Sequence, residues 1–335
     1  MKKVLHYYSA MAWACLLIGC TATTSTFGQN SLRLQKEIPL AGVKGRVDHL
    51  DIDEKDKLVF VAALGNNTVE VVNLTSAKVA HTISGLSEPQ GVAYISKHHE
   101  LFVANGGTGE CSFYNTDTWQ KTSSIMYSDD ADDVRYDAAS DMIYVGYGSG
   151  GIGIINAETH KQVGNIKLPA HPESFQLDAK AGKLWVNLPG SGEIAMADLR
   201  TRKVIAEWKR LFPRGNFPMA YDQAQHRLMV GYRFPAILKV LDSQTGKEIF
   251  SSRMVGDVDD FYWDERTKQL LVSGGSGSIN IFKDTGNNSF QEVANVKTRS
   301  GARTSLWVPD QRLLIVAARE SQGQPAALFI YKLVQ

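Results

Sequence analysis

The sequence predicts an all-β chain folded as a seven-bladed β-propeller, and three observations carry that prediction. The first is a repeat of an apolar residue, an aromatic or aliphatic residue, Val, then a small or polar residue. It reads Leu58-Val59-Phe60-Val61-Ala62 at first, and returns around Val103, Val145, Val186, Val230, Val272 and Val316. These seven valines are separated by 42, 42, 41, 44, 42 and 44 residues. A period in the low forties that holds several short strands is the signature of propeller blades. The second is the content of each unit: a Gly- or Asn-rich turn, an alternating strand, a tight turn and a more polar strand. No sustained helical period interrupts it. The third lies at the ends. The seventh unit holds only three strands, 302–308, 312–319 and 326–333, while an unpaired strand stands at 32–40. That strand is expected to complete the last blade and remove its open edge.

The elements follow in order. Residues 1–19 read as a signal segment: Lys2 and Lys3 precede an apolar run, 10–19, too short to span a bilayer. The run ends in Leu17-Ile18-Gly19-Cys20, which resembles a bacterial lipobox, with Cys20 as the lipidated first mature residue. The other reading is ordinary cleavage near Gly28-Gln29. Residues 20–30 are then a flexible tether, and 31–335 the propeller. Within each blade the alternating strands are expected at 68–74, 151–157, 193–199, 236–243 and 278–284, and the polar ones at 161–168 and 203–210.

Composition sets limits. Without residues 1–19 the chain keeps 34 basic residues against 35 acidic. Near-neutrality argues against a general nucleic-acid binder, which needs clustered positive charge. Of the three cysteines, Cys15, Cys20 and Cys111, only Cys111 lies in the propeller, so no internal disulfide can form there. On an alternating strand it reads as a packed small residue. The chain is expected to be a monomer.

The motifs Leu58-Val59-Phe60-Val61-Ala62, Val69-Glu70-Val71-Val72-Asn73-Leu74 and Lys78-Val79 resemble the YVTN-type β-propeller repeats of secreted bacterial and archaeal proteins. The resemblance covers essentially the whole mature chain. It implies an exported propeller in the periplasm or cell envelope. Distant seven-bladed relatives include lactonases, but none of their catalytic motifs maps onto residues here.

Two registers separate structure from chemistry. Eight residues before each anchor valine stand Asp53, Ile95, Asp137, Asp178, Asp222, Asp264 and Val308. An Asp recurring in five blades before a short turn is expected to accept turn amides. Thirteen residues before the anchor stand Asp48, Gln90, Asp132, Glu173, Phe217, Asp259 and Arg303, followed by His49, Gly91, Asp133, Ser174, Pro218, Asp260 and Thr304. Arg46, His171 and Arg214 lie just upstream in the same loops. These residues begin the innermost strands, so they converge on the channel mouth without repeating from blade to blade. The candidate ligand-binding set is therefore Arg46, Asp48, His49, Asp132, Asp133, His171, Glu173, Arg214, Asp259, Asp260 and Arg303. The competing reading is that Asp132, Asp133, Asp259 and Asp260 merely neutralise Arg46, Arg135 and Arg303.

Mixed carboxylates and arginines suit a small polar ligand with hydroxyl or amine groups and an anionic group. An envelope protein is the alternative partner. No cofactor is predicted. The carboxylates could hold a divalent cation such as Ca²⁺, but His49 and His171 lack a second ligand at diagnostic spacing. Gly148-Ser149-Gly150-Gly151-Ile152-Gly153 fits a dinucleotide motif by letter only, since no helix follows it. His98-His99 is expected to be solvated in a turn on the opposite face. Two function classes survive: a non-catalytic, lipid-anchored binding propeller, and a cation-dependent lactonase-like hydrolase with its site at the same mouth.

Overall fold

The structure, a computed structural model, describes residues 32–321 and 323–334. These form seven four-stranded antiparallel sheets, each running in chain order from innermost to outermost strand except the last. The last sheet has the order β1 (Leu32–Pro39), β28 (Ala327–Leu333), β27 (Leu313–Ala318), β26 (Thr304–Val308). The innermost strand of the first blade, β2 (Leu50–Asp53), packs beside β26, which closes the ring. The fold is thus a seven-bladed β-propeller whose N-terminal strand completes the last blade. Residues 1–31, with the signal segment and Cys20, lie outside the described residues.

The repeat motif is the second strand of each blade. It is sandwiched between neighbouring blades, so both its faces must be apolar. All seven anchor valines are fully buried. The outermost strands meet water on one face; β17 (Lys203–Lys209) alternates exposed with half-buried residues along its whole length. The core lies between blades rather than within them. One apolar cluster joins Ile38, Ile315 and Leu328 of the last blade to Val59 and Val61 of the first.

The recurring aspartates hold the turns of the face opposite the mouth. Asp53 accepts the amides of Lys55 and Asp56, Asp137 that of Ala139, Asp178 that of Ala181 and Asp222 that of Gln225. Asp264 instead accepts the Thr267 hydroxyl. A second turn device ends the third strands: Asn73, Asn115, Asn156, Asp198 and Asp242 accept turn amides in the same way. Four third strands end one residue short of expectation, at Asn73, Asn156, Asp198 and Asp242, because that residue turns the chain, and β24 (Ser278–Gly286) runs two residues longer. His98 is not solvated. Its Nε2 sits 3.0 Å from Asp141, which also binds Lys97 at 2.6 Å and Tyr136 at 2.9 Å, tying two blades together. Cys111 is fully buried, and burial pushes its thiol pKa up.

Candidate functional site

An innermost strand has no neighbour on its channel side, so its amides need other partners. Three channel-facing carboxylates provide them across blades. Asp51 accepts from Tyr94 N (2.6 Å), Asp133 from Phe175 N (3.3 Å) and Asp260 from Ser305 N (2.6 Å). Asp133 and Asp260 are therefore blade staples at the channel waist. Gln176 does the same with its amide, donating to Met219 O at 2.8 Å.

Above the waist the mouth encloses a cavity of about 230 Å³. Nine of the eleven expected residues line it: Arg46, Asp48, His49, Asp132, Asp133, His171, Glu173, Asp259 and Arg303. Asp260 lies below, in a larger chamber of about 560 Å³ that shares His49, Asp133 and Ser174 with the mouth. Arg214 is not part of the cavity lining. It is exposed at the end of β18 (Arg214–Asp222), paired with Phe234, because this hairpin runs past the mouth. Gln90, Asp130, Phe217 and Arg233 also line the cavity. Arg233 comes from the second strand of its blade, outside the innermost-strand register.

The arginines are engaged. Arg46 bonds Asp48 at 3.0 Å. Arg303 bridges Asp257 (2.9 Å) and Asp259 (2.8 Å). Arg233 pairs with Asp259, donates to Val258 O at 2.8 Å and stacks 3.7 Å over the Phe217 ring. Arg135, below, pairs with Asp133. The expected neutralising pairs are thus present for three arginines, with Asp48 in place of Asp132 or Asp260.

The opposite wall has carboxylates to spare. The Glu173 carboxylate makes no hydrogen bond or ion pair with the described residues, and Asp132 Oδ1 is buried with no hydrogen-bond partner. Burial, reinforced by Asp259 and Asp48 and opposed by Arg233, raises Glu173 to about 8. Burial also raises Asp132 well above the carboxylate range, with Asp48 and Glu173 adding to it, and raises Asp260 to about 7. His49 stands at the centre, 3.7 Å from Asp132, 3.9 Å from Asp260 and 4.0 Å from Asp48. Burial opposes its charge, but Asp133, Asp48, Asp260 and Asp132 outweigh that and raise it to about 10. It is an imidazolium at neutral pH, in Coulombic contact with carboxylates rather than bonded to one. His171 Nδ1 donates to Gly148 O at 2.6 Å, so its other nitrogen is free for a ligand. Among the described residues no group of three or more His, Cys, Asp or Glu side chains is placed to hold a metal ion.

No family model matches this chain. No curated protein matches it. Its likeness is to solved structures. A chain of a mitotic checkpoint complex superposes with a TM-score of 0.77 at 14% identity, covering 100% of this chain and 99% of that one. A chain of Kuenenia stuttgartiensis hydrazine synthase gives 0.74 at 14% identity, covering 86% of this chain and 97% of that one. At such identity the likeness shows the fold alone, and it sets this chain among the β-propellers.

Proposed function

We propose that this protein is a non-catalytic binding propeller of the YVTN type, exported and held at the cell envelope through lipid on Cys20. Its mouth takes a small polar ligand by a cationic, donor-rich group. One observation carries this reading. Every arginine lining the mouth already has a carboxylate partner, while Glu173 and Asp132 face the cavity with no donor of their own. A ligand ammonium supplies both the missing donors and the missing charge. An anionic end on the same ligand meets Arg46, whose side chain is 48% exposed.

Calorimetric titration with a panel of primary amines, diamines and zwitterionic amino compounds tests it. Asp132→Asn and Glu173→Gln should each weaken binding about tenfold or more, since a charge-assisted hydrogen bond is worth about 1.5–3 kcal/mol. Binding should also release protons near neutral pH, because a bound cation lowers the raised carboxylates. Unchanged affinity in both variants removes the reading. Metal-dependent turnover of lactones or esters would replace it with the hydrolase.

A further inference from the structure

Blade five has the longest innermost strand. That strand, β18, has nine residues and the next, β19 (Arg227–Phe234), has eight, whereas the innermost strands of blades one, three and four have four each, those of blades two and six seven and that of blade seven five. The ladder climbs to Arg214 opposite Phe234, above the mouth. At this tip Leu211, Phe212 and Phe234 are 78%, 69% and 66% exposed. They lie together: Phe234 is the cross-strand partner of Arg214, two residues after Phe212. The Phe234 ring lies over the backbone of Gly215, where a Cβ would come within 3.1 Å of it.

Charge accompanies the apolar tip. Residues 208–221 and 227–241 contain no Asp or Glu. Most of their basic groups are committed elsewhere, Arg227 to Asp222 and Arg233 to Asp259. Arg214 is exposed and has no partner among the described residues, and Lys209 is 62% exposed, with Glu193 at 3.5 Å. Large apolar side chains on a projecting tip, in segments without acids and flanked by Arg214 and by Lys209 beside Glu193, match a bilayer interface. Aromatic and aliphatic groups enter the headgroup boundary there, and basic groups meet anionic headgroups. A projecting wedge suits a medium that deforms around it.

We propose that the tip of blade five docks on an anionic lipid bilayer, with Leu211, Phe212 and Phe234 in the interface and Lys209 and Arg214 against the headgroups. The docking does not rest on the mouth's ligand, nor on lipid at Cys20, though the two anchors are compatible. Leu32 pairs with Leu333, which puts it at the end of the last blade away from the mouth. The twelve residues from Cys20 to Leu32 reach about 40 Å when extended. The eight residues of β19 rise about 27 Å. One bilayer can therefore hold both.

The test is vesicle flotation with the full chain carrying Cys20→Ser, recovered after export, so that no lipid anchor contributes. Vesicles of phosphatidylcholine alone are compared with vesicles that also contain phosphatidylglycerol. The protein should float with the anionic vesicles and release at high salt. Leu211→Ser/Phe212→Ser/Phe234→Ser should lower the bound fraction about tenfold or more, and Lys209→Glu/Arg214→Glu should do so on anionic vesicles. Both variants should unfold at the parent's temperature, because the changed side chains are exposed. Equal flotation of the variants and the parent overturns the proposal, as does a parent that floats with neither vesicle. A parent that is a dimer, made monomeric by the serine changes and indifferent to vesicles, assigns the tip to a second copy and also overturns it.

Discussion

At the face opposite the mouth, Asp53, Asp137, Asp178 and Asp222 each accept amide protons from the turn that follows. At the mouth, Asp132 and Glu173 accept none. Both sets are carboxylates that flank innermost strands, the first at their ends and the second just before their starts, yet one set recurs around the ring and the other does not. Recurrence goes with satisfaction: a carboxylate repeated in five blades brings its donors in the same repeat. A carboxylate special to one blade has no such guaranteed partner. Its burial is unfavourable to the fold unless something outside the repeat completes it.

The contrast is broken most severely at Asp222. It is fully buried and pairs with Arg227, itself 3% exposed. Asp222→Ala leaves that guanidinium with Asp284 alone, and stability should fall by about 3 kcal/mol or more. Chemical denaturation measures it, and a loss below about 0.5 kcal/mol would mean that the recurrent carboxylates do not hold the fold. Asp132→Asn should act in the opposite direction. Removing a buried carboxyl group that has no hydrogen-bond donor should raise stability by about 1–2 kcal/mol while weakening ligand binding. A variant that is both less stable and fully binding would show Asp132 to be structural.

The pH dependence sharpens the same contrast. Glu173 at about 8, Asp260 at about 7 and Asp51 at about 6 all lie above their unfolded values, and His49 at about 10 does too. The folded chain binds more protons than the unfolded one throughout this range. Stability from these groups is present below their unfolded pKa values and is lost as pH rises through the folded ones. Melting temperature should therefore decline from about pH 5 to pH 9, and Glu173→Gln should flatten the decline between pH 6 and 8. A rising profile contradicts the surplus. The smallest effect is expected at Asp242, whose turn lies at the surface and which accepts from Gln244 N, Thr245 N and the Thr245 hydroxyl. Asp242→Ala should cost about 0.5–1.5 kcal/mol in a thermal melt and leave binding unchanged.

The architecture was legible because burial on both faces writes itself into sequence. A strand sandwiched between blades must read as an unbroken apolar run, so the valines at 61 through 316 betray the period. The spare strand at 32–40 betrays the closure. The mouth was legible as far as the innermost-strand register extends, which reaches Asp48, Asp132, Glu173, Asp259 and Arg303. Arg233 is not legible because it enters from the second strand, and neither is the place of Arg214 outside the cavity lining, because nothing in its own segment reveals that the hairpin overshoots. The dual character of Asp133 and Asp260 was not readable. Each staples the following blade, and which amide a carboxylate meets depends on a neighbour more than forty residues away.

The closing strand has a consequence for how the molecule comes into being. Leu32 and Leu333 are register partners although about 300 residues separate them. The strand synthesised first is the one that cannot be seated until the last has emerged. Contacts of that separation carry the largest loop-closure entropy in the chain, and they delay completion of the ring. Until then β28 presents an unpaired edge with Leu328 and Ile330 uncovered. The order of synthesis thus makes the newborn chain's most adhesive surface its final one, and the time spent with that edge open sets its exposure to mispairing with another copy.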